Sequence, residues 1–282
     1  MNHASELTLH MLLSKLGDGS AKVSEDTIEQ IVSDVREALF KQFRGESRNA
    51  FRVRMSNIGR PYCQLWYAKN KPDVAEGRSY NFILNMMMGD IVEAVFKGLL
   101  TEAGVNYEGS ENVTLKLSDG TQINGTTDLS INGAVDDIKS ASPYSYTHKF
   151  DSIQSVTDSD PFGYVGQLVG YAKAANKKVG GWWVINKANG QFKYVTANTL
   201  DVDKTLAEIE AKLKRLEDNE FERDFEPVNE TFRSKATGNK ILGVNCRFCD
   251  FKRDCWPELQ TLPSIPSSAR NPPDVDYTHV AV

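Results

Sequence analysis

The chain has 282 residues, 40% of them hydrophobic and 25% charged, enough for one large core or two small ones. Its formal net charge of -5 gives no overall basic field, so a nucleic-acid partner would have to be held by a local groove or with the help of cations. No apolar run approaches the roughly 18–20 residues that span a bilayer, and no basic segment leads into a long apolar one at the start. Neither a membrane helix nor a secretory signal is expected, and the compartment expected is a reducing cytoplasm.

Residues 1–50 read as a helical region. Within them Ser24 can cap a helix over 24–43, whose Ile28, Ile31, Val32, Val35, Ala38 and Leu39 make one apolar stripe. Arg52, Arg54 and Arg60 then surround a short segment leading into Pro61-Tyr62-Cys63; they are phosphate contacts or plain surface charge. A second helix, rich in Met and Leu, is expected over 80–103 and ends near Gly104. A three-stranded meander follows over 113–117, 122–131 and 134–139, with turns at Asp119-Gly120 and Asn132-Gly133. After a polar loop over 140–160, Pro161 opens a helix to about residue 176. A hairpin of 181–185 and 191–195 turns at Asn189-Gly190, and a charged helix covers 202–220 with Leu206, Ile209, Leu213 and Leu216 on one stripe. Residues 258–282, rich in Pro and Ser, read as a flexible tail. The sum is an α/β domain, a central mixed sheet flanked by helices.

The Asn132-Gly133 turn sets a register. A two-residue loop pairs Ile131 with Ala134, Ser130 with Val135, Leu129 with Asp136 and Asp128 with Asp137. Opposed side chains share a face with Cβ atoms roughly 4.5–5.5 Å apart, and Lys139 has the parity of Asp137. Leu129, Ile131, Ala134 and Ile138 fall on the other, apolar face, where Asp136 is the misfit. Two opposed carboxylates repel; a divalent cation between them removes the penalty, and hard oxygen ligands suit Mg²⁺ or Mn²⁺. The bland alternative is a polar, solvated sheet face.

Two helices add candidates. Glu93 is a third carboxylate for the same ion or an i,i+4 partner of Lys97, and Asp90 competes with it. Gln167 and Tyr171 share a helix face with Tyr164, to meet a phosphodiester backbone or merely to pack and reach solvent.

Four cysteines complete the set: Cys63 alone, then Cys246, Cys249 and Cys255 in a C-x2-C-x5-C run. Thiolate quartets hold an iron–sulfur cluster or a structural zinc, and this one would join the N- and C-terminal parts of a domain.

Taken in order, these pieces resemble the RecB-like branch of the PD-(D/E)XK nuclease superfamily over about residues 51–257. The likeness is greatest to its iron–sulfur members: CRISPR-adaptation nucleases, the AddB nuclease domain and phage exonucleases. It is carried by Arg60-Pro-Tyr-Cys63, Gly89-x3-Glu93, Gly125-Thr-Thr-Asp128, Asp137-Ile-Lys139, Gln167-x3-Tyr171 and the final cysteine run. Many RecB-like members have histidine where this chain has Glu93, whereas other PD-(D/E)XK nucleases use glutamate there.

The resemblance implies a restriction-endonuclease-like core and a DNA exonuclease serving recombination, repair or processing. It implies that Glu93, Asp128, Asp137 and the Ile138 carbonyl hold Mg²⁺ or Mn²⁺. Lys139 would position or activate the attacking water, and Gln167 and Tyr171 would assist on the DNA side. Cys63, Cys246, Cys249 and Cys255 would ligate a [4Fe–4S] cluster. The partners would be single- or double-stranded DNA ends and a separate recombinase, helicase or single-strand-binding protein. The rival readings are a stapled DNA-binding module without catalysis, and a structure-specific endonuclease.

Overall fold

Asn132 and Gly133 both take positive φ, 52° and 73°, as a tight two-residue hairpin turn requires. The strands they join build the centre of the molecule, and the computed structural model describes residues 3–44, 51–77, 80–218 and 220–281 around them. Helices α1 (Ala4–Gly17), α2 (Glu25–Arg44), α3 (Tyr62–Asn70) and α4 (Tyr80–Glu102) come first. Strands β1 (Tyr107–Glu108), β2 (Asn112–Lys116), β3 (Gln122–Thr126), β4 (Leu129–Ile131) and β5 (Ala134–Ala141) follow. Then come α5 (Ile153–Asp158), α6 (Tyr164–Ala174), β6 (Lys178–Asn186), β7 (Phe192–Thr196) and α7 (Val202–Asp218). The chain closes with β8 (Val228–Phe232), β9 (Lys235–Ile241), α8 (Val244–Arg247), α9 (Lys252–Cys255), β10 (Gln260–Pro263) and β11 (Asp274–His279).

The main sheet runs β1-β4-β5-β6-β7, parallel only between β5 and β6. It is a mixed sheet covered on both faces. On one, Val135, Trp182 and Val184 pack with Leu168 of α6, Ile209 of α7 and Leu115 of the β2–β3 hairpin. On the other, Leu129, Ile138 and Trp183 pack with Leu9 of α1 and with Phe96 and Leu100 of α4. Each fully buried side chain of this kind is worth about 1.5–3 kcal/mol. The polar, solvated sheet face is therefore excluded: β5 is buried from Val135 to Ile138.

Three register pairs stand as the turn dictates: Ile131 with Ala134, Ser130 with Val135 and Leu129 with Asp136. The fourth does not form. The segment expected as one strand over 122–131 divides at Thr127-Asp128 and enters two sheets, β3 pairing only with β2. At that corner Thr127 N–H donates to the Glu111 carbonyl, and the Asp128 carboxylate turns to accept from Ile138 N–H at 2.9 Å. Asp128 thus reaches β5 beside Asp137 instead of standing opposite it in a ladder.

Two other expectations change. The polar stretch before Pro161 contains α5, capped by Ser152, whose Oγ accepts from Ser155 N–H. The supposed flexible tail holds β10 and β11, which join β8 and β9 in a four-stranded sheet. Tyr277 anchors that sheet, donating its hydroxyl to buried Glu230 at 2.9 Å. Glu230 also accepts from Thr237 and Asn239, so polar residues supply its interior. Among the described residues no helix is long and apolar enough to cross a membrane.

Asp136, the misfit, is 1% exposed on its apolar face. Its Oδ1 accepts from Gly181 N–H at 2.9 Å and from the Tyr194 hydroxyl at 2.8 Å. Burial pushes its carboxyl up to about 7. Because the folded value lies above the unfolded one, this group's contribution to stability is full below about pH 4 and is lost as pH rises through about 7. Asp136→Asn keeps the Oδ1 acceptor and cannot ionise. Urea unfolding in chelator should show the variant gaining roughly 2–3 kcal/mol on wild type between about pH 5 and pH 8. A gap that stays constant with pH would mean that Asp136 is ionised throughout.

Candidate active site

A cleft of about 510 Å³ opens at the carboxyl half of β5. Its floor is Asp137, Ile138 and Lys139 of β5 and the corner residue Asp128; Glu93 and Asp90 of α4 form one wall and Tyr164 and Gln167 of α6 the other. Helix α4 crosses β5 with Gly89 over Ser140, where a Cβ would make an ordinary contact 3.5 Å from Ser140 Oγ. Helix α6 is fixed by a backbone-to-backbone contact. Gly163 caps it with φ 76°, and a Cβ there would lie 2.3 Å from the Gly59 carbonyl carbon, so only glycine fits. That contact draws the 51–61 segment against α6 and puts Arg60 at the cleft edge.

The floor is a buried charge cluster. Asp137 is 3% exposed, and Lys139 Nζ lies 2.8 Å from its Oδ1 and 2.6 Å from its Oδ2. The ammonium thus bridges both oxygens of the carboxylate. Burial, with Asp128 and Glu93 adding to it, pushes Asp137 up to about 7 against the pull of Lys139. Burial also raises Glu93, and Asp128 adds to the effect. Burial alone would lower Lys139, but Asp137 and Asp128 outweigh it and hold the ammonium charged. Lys97 donates to Glu93 at 2.6 Å, so Glu93 both lines the cleft and keeps its i,i+4 partner. Asp90 accepts from Gln42 Nε2 at 2.9 Å.

This donor set fits a hard divalent cation. Three carboxylates sit together in a cleft, and the presence of Asp128 raises both Glu93 and Asp137. Among the described residues no three His, Cys, Asp or Glu groups are already gathered at metal-holding distance, so an ion would draw these carboxylates inward.

Gln167 lines the cleft, whereas Tyr171 stands behind it, buried against the Met55 and Gly125 layer. Its hydroxyl is raised by burial, with Gln167 pulling the other way. Arg60 reaches the cleft, but Arg52 and Arg54 are exposed and outside it. Two neighbours had little signal in the sequence. Lys149 comes from the polar stretch, which has no periodic pattern. Its Nζ lies 4.6 Å from the Tyr164 ring centre, and Lys139 Nζ lies 5.0 Å from the same ring. Tyr164 thus faces two ammonium groups. Its helical spacing from Gln167 was the only clue to its place.

The four cysteines, none in a disulfide, line one small cavity together with Gln64, which also lines the cleft. Cys63 is in the first turn of α3, and its N–H donates to Asp224 Oδ2 at 2.8 Å. Cys246 and Cys255 belong to α8 and α9, with Cys249 between them. Burial pushes the Cys246 thiol up to about 11 and the Cys249 thiol up to about 12. Arg223 stacks 4.0 Å from the Trp256 ring centre beside them and donates to the Cys255 carbonyl. Four free thiols facing one space are the donor chemistry of a soft metal centre. The space is about 20 Å³, so an iron–sulfur cubane would spread the thiols from these positions.

No family model matches the chain, and no curated protein matches it. Among solved structures it is similar to one described as the crystal structure of SSO0001, at 12% identity and a TM-score of 0.40, over 82% of this chain and 96% of that one. A likeness that low carries no argument about activity.

Proposed function

We propose that the chain is a metal-dependent DNA exonuclease built on a restriction-endonuclease-like core, as the PD-(D/E)XK resemblance implies. The observation that supports it most is the floor of the cleft: a buried Asp137 paired with Lys139, with Asp128 and Glu93 beside it. Glu93, Asp128, Asp137 and the Ile138 carbonyl would hold Mg²⁺ or Mn²⁺. A divalent cation there supplies charge stabilisation to a phosphodiester and makes a water more acidic.

The chain's own groups do the rest. Asp137 keeps Lys139 charged and pointed into the cleft. Lys139 can then orient the attacking water and offset negative charge growing on the phosphate. Gln167 presents an amide to the backbone of the strand, with Tyr171 one helical turn on behind it. Arg60 adds positive charge at the wall. The cysteine quartet would hold the [4Fe–4S] cluster that ties α3 to the α8–α9 lobe.

The test is digestion of end-labelled linear and circular DNA, single- and double-stranded, in Mg²⁺, Mn²⁺ or chelator. Divalent-dependent shortening of linear DNA with circles spared is expected. Nicking of circles would reassign the chain as an endonuclease, and DNA binding without cleavage in either metal would reassign it as a binding module.

A further inference from the structure

Phe248 lies between two cysteines of the C-x2-C run, yet its ring is 59% exposed at the mouth of the cleft rather than buried in the lobe. Phe162, just ahead of α6, is 37% exposed and faces it, ring centres 5.9 Å apart and planes 35° apart. Phe162 continues inward to Tyr164, stacked at 5.6 Å and 24°. Tyr164 is the ring that carries the Lys139 and Lys149 ammonium groups, and Lys149 also lies 5.3 Å from the Phe162 ring centre.

The result is a file of three aromatic rings from the solvent mouth to the lysine that pairs with Asp137, flanked by cations. A single exposed Phe needs no explanation. Two that converge from separate parts of the chain, inside a cleft whose edge also carries Arg60, match what an unpaired strand meets: flat faces for its bases and a cation for a phosphate. A stacked duplex offers neither face.

We propose that Phe162 and Phe248 form a platform on which an unpaired base of the strand stacks next to the bond to be cut. The chain would therefore take single-stranded or frayed ends in preference to blunt duplex. The inference rests on the nuclease reading and names its substrate class. It also gives the cysteine lobe a part in the substrate surface, because the C-x2-C turn sets where Phe248 points.

The experiment is fluorescence anisotropy in chelator, so that nothing is cut, with labelled oligothymidylate and with a blunt hairpin duplex. Phe248→Ala and Phe162→Ala should each weaken single-strand binding about tenfold or more while duplex binding changes little. Phe248→Tyr should restore it, and Phe248→Leu, which keeps apolar bulk without a flat ring, should not. In wild type, 2-aminopurine near the end of the oligonucleotide should be quenched on binding, and the Phe248→Ala variant should lose that quenching. Equal single-strand affinity in wild type and both alanine variants, or rescue by leucine as full as by tyrosine, overturns the platform. Wild type that cleaves DNA while the alanine variants bind normally sinks only this inference. Wild type that neither binds nor cleaves sinks the nuclease reading itself.

Discussion

Asp128→Asn is expected to reduce DNA hydrolysis by roughly 10³-fold or more while leaving the fold as stable as wild type or more so; Asp137→Asn is expected to reduce it as much, at some cost in stability because the buried Lys139 ammonium loses its partner. At position 128 the two effects come from one cause. In the metal-free protein, burial and mutual repulsion drive Asp137 up to about 7 and raise Glu93. Deleting one negative charge relieves that repulsion and removes one of the proposed ligands of the ion. Asparagine is the informative choice at position 128 because its amide oxygen can still accept from Ile138 N–H, so the corner between β3 and β4 is kept. Lys139→Met should cut hydrolysis similarly, for another reason: it keeps the carboxylates and removes the ammonium that Asp137 holds. The check is initial rate on end-labelled DNA beside thermal unfolding in chelator. Loss of rate together with a collapse of stability would mark the cluster as structural.

Cys63→Ser is expected to lose iron and the brown colour of a cluster and to lower the melting temperature by on the order of 10 °C. Helix α3 has other ties: Lys69 Nζ donates to the Leu216 carbonyl at 2.8 Å, and the Arg215 guanidinium lies 3.8 Å from the Tyr62 ring centre. These hold α3 to α7. In the small core where Tyr67 meets Leu242, Trp256 and Leu259, the thiols would add a cross-link to the α8–α9 lobe. A cross-link closing so long a loop is worth about 4–5 kcal/mol in the chain-entropy model. Iron content and visible absorption of protein purified without air check this, with unfolding followed by circular dichroism. A soluble Cys63→Ser protein with full iron would remove Cys63 from the ligand set, and a colourless wild type containing zinc would replace the cluster by a single ion.

What the sequence made legible was strictly local. The Asn132-Gly133 dipeptide admits so few turn geometries that three β4–β5 pairs could be counted outward from it. Counting failed at the fourth because alternation runs unbroken through Gly125-Thr-Thr-Asp128, and nothing local marks the change of sheet. The cause lies in tertiary packing: Gly125 approaches so near that a Cβ would be 2.5 Å from Met55 Cβ and 2.7 Å from Tyr171 Cε1. Helix α3 escaped notice because Tyr62, Cys63, Leu65, Trp66 and Tyr67 put apolar groups almost all round it, which erases helical periodicity. The C-terminal sheet escaped because polar contacts around Glu230, rather than an apolar face, hold its middle strands. The cysteine set was legible by count and spacing alone, but the aromatic file was not, since Phe162, Tyr164 and Phe248 meet only in the folded chain.

The account turns on whether Glu93, Asp128 and Asp137 share a divalent ion. Titration of Mn²⁺ followed by electron paramagnetic resonance, on wild type and on Asp128→Asn and Asp137→Asn proteins, measures this without any substrate. One Mn²⁺ held by wild type and lost in both variants, with Lys139→Met still binding, is the predicted result. Mn²⁺ bound equally by all four proteins, or by none, would contradict it.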